Sequence, residues 1–474
     1  MNKYGWIYFL LIIIIGFVTF FISLNNYFTP SDDFHFLEIV SGDESFMSKV
    51  FTSIGGTGLM PLQWAFSVFL FKLFSFNPFG YYFVHICFHI VNACLLFFLA
   101  RNFLKNNFFS FISAIIFLLH RTTSGIVFWL GSIDTVLIVF FILLSLIFFF
   151  KYQNIKKKAH YYLWLLFFIC ALLSQITALY FLLVFILYEL SNNKFKFKKI
   201  RISRYVPFVL ISLVSFLSQL IAIIPNNYLF SEKAYFFGPH FIFNMLNYFV
   251  TLFFPSTNFM NASYSLSSFI PILYLVYFFI IVFIILIFIK GSNSVKFLTF
   301  WLLLAFIPGS FFIWNNALRF IYLPLIPFSI LISYALKSLF NKINLSSKTK
   351  IFFLSSIIVI FIIFSMYFIR FDEKNFENSS DVARKIIIDF EEVSSLIPDN
   401  SIIRFDFSRF SCYHLAKGLE AFYDIKNISF YCGENEIYYT HRTFEDFLEY
   451  NNIIYEEVIF LSYQNNRVSI TNIN

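Results

Sequence analysis

The sequence predicts a mainly α, polytopic helical membrane protein of about eleven transmembrane helices, with a small soluble α/β domain at its C-terminal end. Three observations carry this. Of 474 residues, 59% are hydrophobic and only 13% charged, with a mean hydropathy of +0.77. A water-soluble chain of this length would struggle to bury so much apolar surface. Nearly uncharged segments of about 17–25 residues recur, the length that crosses about 30 Å of hydrocarbon. The charge also changes sign near residue 371. Nine Lys/Arg and eighteen Asp/Glu follow that point, a net of −9, against +17 before it.

The crossings are expected at 5–24, 78–100, 107–120, 130–150, 160–174, 175–190, 205–224, 269–289, 297–313, 320–339 and 351–369. The first has a basic start, as a secretory signal does, but it is long and no small-x-small cleavage site follows. It therefore reads as a retained helix. The stretch 61–76, PLQWAFSVFLFKLFSF, is apolar but only sixteen residues long and contains Lys72. It is expected to lie along the membrane surface, with Pro61 in its first turn. Of the Lys and Arg before the tail, nineteen fall in one set of alternate loops and six in the other. The positive-inside rule then places the N-terminus in the cytoplasm, and the first loop (25–77) and the tail outside. The basic balance answers to anionic lipid facing the cytoplasmic loops, not to nucleic acid.

Two domains follow: 1–370 in the membrane and 371–474 as a soluble exoplasmic domain. In the tail, Val382, Ile386, Phe390, Val393 and Ile397 form a helical stripe with Ser380 as its N-cap. IPDN reads as a turn, and SIIRFDFS, NISFYC and EEVIFLSY read as strands. Cys87, Cys94 and Cys170 lie in apolar runs and behave as small hydrophobes. Cys412 and Cys432 could pair in an oxidising compartment or stay as two thiols.

Few polar residues stand out from this background. TPSDDFHFLEIVSGDE (29–44) puts Asp32 and Asp33 where the first crossing ends, and carboxylates beside a bilayer are usually kept for a purpose. His85, His89 and Asn92 share one helix face. The histidine pair has a zinc-like spacing, but a polar stripe between packed helices is the simpler reading. His120 and Arg121 end one crossing, and Trp129, Gly131 and Asp134 open the next. Trp129 suits an interface anchor, and Asp134 suits either a helix start or an ion-paired functional role. Arg319 at the mouth of a late crossing could snorkel or bind an anionic phosphate. Pro324 and Pro327 should bend the helix that follows. GGTG at 55–58 lacks the ending of a phosphate loop. In the longest outer loop, about 225–268, Glu232, Lys233 and His240 are the titratable candidates. The acidic pair could bind a divalent cation, but no tight ligand set is visible.

In this order, these features resemble the GT-C superfamily of polyprenyl-phosphate-sugar-dependent glycosyltransferases. The likeness is closest to bacterial relatives of protein O-mannosyltransferases and of the transmembrane O-mannosyltransferases that carry tetratricopeptide repeats. It covers roughly residues 1–340. It rests on Asp32-Asp33, Met60-Pro61-Leu62, His85 with His89 and Asn92, His120-Arg121, Trp129 with Gly131 to Asp134, and Arg319-Phe320-Ile321-Tyr322-Leu323-Pro324. The chain departs from the family pattern in four places. Met60 stands where the family has Arg, and Arg121 where it has Pro. Ser174-Gln175-Ile176 replaces Ser-Lys-Glu, and the tail replaces the repeat array.

The resemblance implies an integral protein of the bacterial inner (plasma) membrane, acting as an inverting hexosyltransferase on a lipid-linked sugar donor. Asp32 would be the general base and Asp33 its neighbour in acceptor positioning. Arg319, with Arg121, His120, Asp134, His89 and Tyr322, would serve the donor phosphate. The acceptor would be an exoplasmic glycan, lipid or protein. Read alone, the residues also leave open a lipid-linked saccharide transporter, an O-antigen-type polymerase or ligase, and an inactive relative. A transporter would put its polar groups near the midplane, whereas here they gather at the outer end.

Overall fold

A computed structural model describes residues 5–29, 31–53, 58–193, 201–223, 235–255, 270–313, 318–344, 346–394, 397, 401–406, 412–423, 429–431, 458–464 and 467–473. The chain opens with α1 (Gly5–Phe20), which runs on as a 3-10 turn, Phe21–Asn25. The first loop holds α2 (Asp32–Ser41), α3 (Phe46–Val50) and α4 (Pro61–Phe74). Pro61 starts α4, where its missing N–H would have had no helical partner. Asn77 caps α5 (Pro78–Leu104), and Asn106 caps α6 (Asn107–Leu119), each accepting from backbone N–H groups. Beyond His120 the chain bends by 48° into a 3-10 turn, Arg121–Thr123, and α7 (Ser124–Val127).

Eight more helices extend the bundle. They are α8 (Ile133–Ile155), α9 (Lys158–Ser174), α10 (Phe181–Asn192), α11 (Val206–Ile223), α12 (His240–Phe253), α13 (Ile270–Lys290), α14 (Asn293–Ser310) and α15 (Leu325–Lys342). Then come α16 (Ser347–Ser394), β1 (Ile402–Asp406), α17 (Cys412–Tyr423), β2 (Ser429–Tyr431), β3 (Val458–Gln464) and β4 (Arg467–Ile473). The sheet order is β2-β1-β3-β4, with β1 parallel to both neighbours and β3 antiparallel to β4.

The core lies around α5, which packs against α1, α6, α8 and α15. Small side chains permit the close approach that membrane helices use in place of a hydrophobic drive. Ala93, Ala100 and Ala114 are fully buried. A Cβ on Gly16 of α1 would fall 2.6 Å from Ile90 of α5. On the periphery, α11, α13 and the first half of α16 turn Val214, Phe278 and Phe352 outward. Such faces are unfavourable in water and natural in lipid. Among the described residues, five helices are long and apolar enough to cross a membrane by length and composition, and six if the bent α6–α7 pair counts as one. Shorter apolar helices accompany them, among them α4, α9 and α12.

Several expectations are corrected. Residues 240–253 are not loop but α12, held by Asn244 Nδ2 donating to Ser310 O (3.1 Å) and Phe312 O (2.7 Å). The last crossing and the tail stripe form one helix, α16. Its 48 residues span about 72 Å at 1.5 Å per residue, so the expected boundary at 370/371 falls inside it. Ser380 is therefore no N-cap. It is buried, donating to Glu377 O (3.0 Å) and accepting from Tyr27 N (3.3 Å). A fourth strand, β4, follows the three expected. Glu232, Lys233, Cys432 and the Cys412 side chain lie outside the described residues, as does most of the IPDN turn.

Candidate active site

The segment before α2 is tied down from three sides. Tyr27 N meets Ser380 of α16. Tyr82 Oη of α5 donates to Tyr27 O (3.1 Å) and Phe128 O (3.2 Å). Asp33 makes the third tie. It is fully buried. One oxygen accepts from Thr29 N (3.0 Å) and Thr29 Oγ1 (2.7 Å), the other from Gly131 N (2.8 Å). Burial pushes its carboxyl up to about 6, against the pull of these three donors. Asp33 thus clamps the first loop to the Trp129–Gly131 turn that opens α8. That turn needs glycine, because a Cβ on Gly131 would lie 2.8 Å from the Trp129 ring.

Asp32, one residue earlier, points the other way and is 56% exposed. Oδ1 is 3.2 Å from His414 Nε2 of α17, and Oδ2 has no partner among the described residues. Burial pushes its carboxyl up. The His414 bond and the charges of His414, Arg319 and His35 outweigh that and hold it below the usual aspartate value. The first turn of α2 favours a carboxylate in the same sense.

Arg319 lies in a 3-10 turn, Leu318–Ile321. Its guanidinium stacks 4.7 Å from the Trp129 ring centroid and 5.3 Å from that of Phe320. Its field reaches both Asp32 and Asp134, yet it closes no ion pair among the described residues. Asp134 in the first turn of α8 accepts from Gln175 Nε2 (2.7 Å), and Gln175 Oε1 accepts from Thr177 Oγ1 (2.5 Å). The departure at Gln175 therefore supplies one partner of Asp134, and Thr135 Oγ1 (3.2 Å) supplies another. Asp32, Asp33, Trp129, Gly131, Asp134 and Arg319 share one end of the bundle.

The other expected site residues are engaged elsewhere. Arg121 is closed by Asp372 of α16, with Nε to Oδ2 at 2.8 Å and Nη2 to Oδ1 at 2.6 Å. Nη1 donates to Pro255 O (3.3 Å), and Ser124 Oγ also donates to Asp372 (3.0 Å). His120 Nε2 donates to Leu252 O (3.0 Å), which leaves Nδ1 to accept from Thr122 Oγ1 (2.7 Å). His89 Nε2 donates to Leu118 O (3.0 Å), and its Nδ1 accepts from Tyr322 Oη (2.7 Å). Asn92 Nδ2 donates to Val136 O (3.1 Å) and reaches Tyr322 Oη (3.4 Å). His89, Asn92 and Tyr322 thus form a buried polar link between helices. Among the described residues no group of three or more His, Cys, Asp and Glu could hold a metal ion.

Two cavities share Arg121 and Phe368, and the first reaches Leu318, the neighbour of Arg319. One, of about 550 Å³, is lined by Arg121, Ser124, Leu318, Asp372 and Asn375 among others. The other, of about 600 Å³, is almost wholly apolar and runs between α6, α12, α15 and α16, past Ile116, Phe328, Ile358 and Phe361. Sequence reasoning missed His414 and Asp372. Both lie in the acidic tail, and no local motif linked them to residues roughly 250 to 380 positions earlier.

No protein-family model and no curated protein matches the chain. Solved structures do. ArnT from Cupriavidus metallidurans bound to undecaprenyl phosphate superposes with a TM-score of 0.57 at 13% identity, covering 98% of this chain and 94% of that one. The apo form of the same protein gives 0.57 at 11% identity with the same coverage. The Archaeoglobus fulgidus oligosaccharyltransferase, tethered to an acceptor peptide containing an NVT sequon, gives 0.50 at 11% identity, covering 90% of this chain and 64% of that one.

Proposed function

We propose that this chain, which has the GT-C superfamily fold, is an integral membrane glycosyltransferase. It would move a sugar from a polyprenyl-phosphate donor to an acceptor hydroxyl at the outer face of the bacterial inner membrane. The observation that carries the reading is one juxtaposition. An exposed carboxylate, Asp32, and a guanidinium with no ion pair among the described residues, Arg319, share one end of the bundle; Leu318, beside Arg319, lines a cavity of about 550 Å³ that meets an apolar groove of about 600 Å³ at Arg121 and Phe368. The two similar folds add support. One binds undecaprenyl phosphate and the other an acceptor peptide.

The groove suits a prenyl chain entering from the bilayer. Arg319 would bind the donor phosphate and offset the charge that develops on it as the sugar–phosphate bond breaks. Arg121, already neutralised by Asp372, would shape the cavity wall. Asp32 Oδ2 would take the acceptor proton as that oxygen attacks the anomeric carbon. The phosphate would leave with the bonding pair, and the sugar would invert in one displacement. Asp33 and Gly131 would position Asp32 through the buried clamp. The loop charges favour a cytoplasmic N-terminus, eleven crossings, and an outer-facing tail from residue 371 onward. The acceptor would be a glycan, lipid or protein hydroxyl.

The test is glycosyl transfer by purified protein in lipid, from a mixed pool of polyprenyl-phosphate sugars, wild type against Asp32→Asn. Transfer lost in a folded variant supports the reading. Equal transfer by both removes Asp32 from the chemistry. Movement of intact lipid-saccharide across the bilayer without transfer would favour the transporter.

A further inference from the structure

We propose that α17 completes the site from the far end of the chain, with His414 as the positioning residue of Asp32. The proposal rests on the reading of Asp32 as the base. The geometry that carries it is the seat of α17 between α2 and α16. Leu415, Ala416 and Leu419 bury one face of α17. Gly418 lets the two helices touch, since a Cβ there would come 2.7 Å from the Phe34 ring. Phe422 packs among Tyr27, Phe28, Phe34 and Phe76, with the Phe76 centroid at 4.4 Å. Lys417 Nζ lies 3.2 Å from Glu38 Oε1 of α2 and 2.7 Å from Glu420. Tyr423 Oη donates to Ile387 O of α16. Aromatic packing, one ion pair and a close backbone approach therefore fix the helix that carries His414.

The consequence falls on one oxygen. His414 Nε2–H donates to Asp32 Oδ1 and fixes the carboxylate plane. Oδ2 has no partner among the described residues, and the charge of Arg319 acts on the carboxylate. The charges around the pair come from each neighbouring element. On α2 they are His35 and Glu38, 3.1 Å apart, with buried Asp33 behind. Arg319 belongs to its own turn, and Lys417 and Glu420 to α17. On α16, the charges of Arg384 and Glu391 act on Tyr27 and Tyr423. In the reaction His414 keeps its proton. The acceptor proton goes to Oδ2 alone.

The test has two arms. In the first, transfer by the wild type, His414→Ala, His414→Gln and Asp32→Asn is followed from about pH 5 to 8, with kcat and the donor KM separated. His414→Ala should lower kcat by roughly ten- to a hundredfold with little change in KM. The acidic limb of its profile should move to higher pH, because Asp32 loses a donor that favoured its charged form. His414→Gln keeps an N–H and should recover most of kcat. Wild-type kcat with an unmoved limb in His414→Ala would overturn the proposal. So would equal losses in Ala and Gln with the limb unmoved, which mark a merely structural residue. The second arm needs no substrate. Asp32→Cys with His414→Cys, in a chain otherwise free of cysteine, is treated with a short thiol cross-linker. A rapid intramolecular link supports the seat of α17 at Asp32, and its absence overturns the proposal whatever the activity. No transfer by the wild type would overturn the functional reading and the role of His414 with it, while a formed link would still locate α17.

Discussion

The end of the bundle that holds the candidate site has two halves that use the same residue types differently. On one side, Arg121 meets Asp372, the Pro255 carbonyl and the Phe368 ring, and its charge is fully answered. On the other, Arg319 rests on the rings of Trp129 and Phe320 and closes no ion pair among the described residues. The adjacent aspartates divide in the same way. Asp33 spends both oxygens on Thr29 and Gly131, while Asp32 keeps one without a partner among the described residues. A charged group whose hydrogen-bonding capacity is filled by the fold is scaffold, because releasing it strands its partners. A charged group with capacity left over is available to a ligand. Residue type marks a position as costly, and the pattern of partners assigns the role.

The sharpest break of this comparison is Asp32→Asn. It should lower transfer by about 10²–10⁴-fold, the range for removing a general base. Its melting temperature in detergent should barely change, because the side chain is more than half exposed. Arg319→Gln comes next, with an expected loss of about 10²–10³-fold in kcat. Arg319→Lys should fall between, since an ammonium keeps the charge but loses the flat stack on Trp129. Neither change should destabilise the fold much, and a large drop in melting temperature would move Arg319 into the scaffold.

Smaller effects are expected in stability. Arg121→Gln strands the largely buried Asp372 and should cost about 2–4 kcal/mol by denaturant titration. Adding Asp372→Asn should recover most of it, with transfer per folded molecule unchanged throughout. A raised donor KM with unchanged stability would instead place Arg121 on the donor. Asp33→Asn turns an amide N–H toward a donor and should cost about 1–3 kcal/mol for each donor left without an acceptor. The wild type should also show a pH dependence. The Asp33 carboxyl holds its proton up to about 6 in the fold and to about 3.9 when unfolded. Its contribution is thus complete below about pH 4 and lost as the pH rises through about 6. Melting temperatures of Asp33→Asn across that window should lack this slope.

Much of the fold was legible because long apolar runs have one solution in a membrane, the helix. The runs at 5–24, 78–100, 107–120 and 130–150 became α1, α5, α6 and α8. The misses have physical causes. The α12 run is interrupted by Asn244 and Asn247, whose side chains find partners only across the bundle. The α16 helix continues past its apolar part because Phe371-Asp-Glu-Lys contains no helix breaker, and its apolar stripe then packs on α17. Within the site, Asp32, Asp33, Asp134 and Arg319 stood out as polar groups in an apolar chain. The polarity of His89, His120 and Tyr322 stood out equally, and their side chains hydrogen-bond to neighbouring helices.

The sequence by itself determined a helical membrane protein, its charge asymmetry, and a short set of polar residues at one end. Composition and periodicity act over tens of residues, and the cost of polar groups in hydrocarbon makes each exception conspicuous. Only the tertiary structure decided which exceptions are spent on one another. Asp372 reaches Arg121 across 251 positions, Gln175 reaches Asp134 across 41, and His414 reaches Asp32 across 382. A hydrogen bond is decided within about 3 Å, and separation along the chain carries no information at that scale.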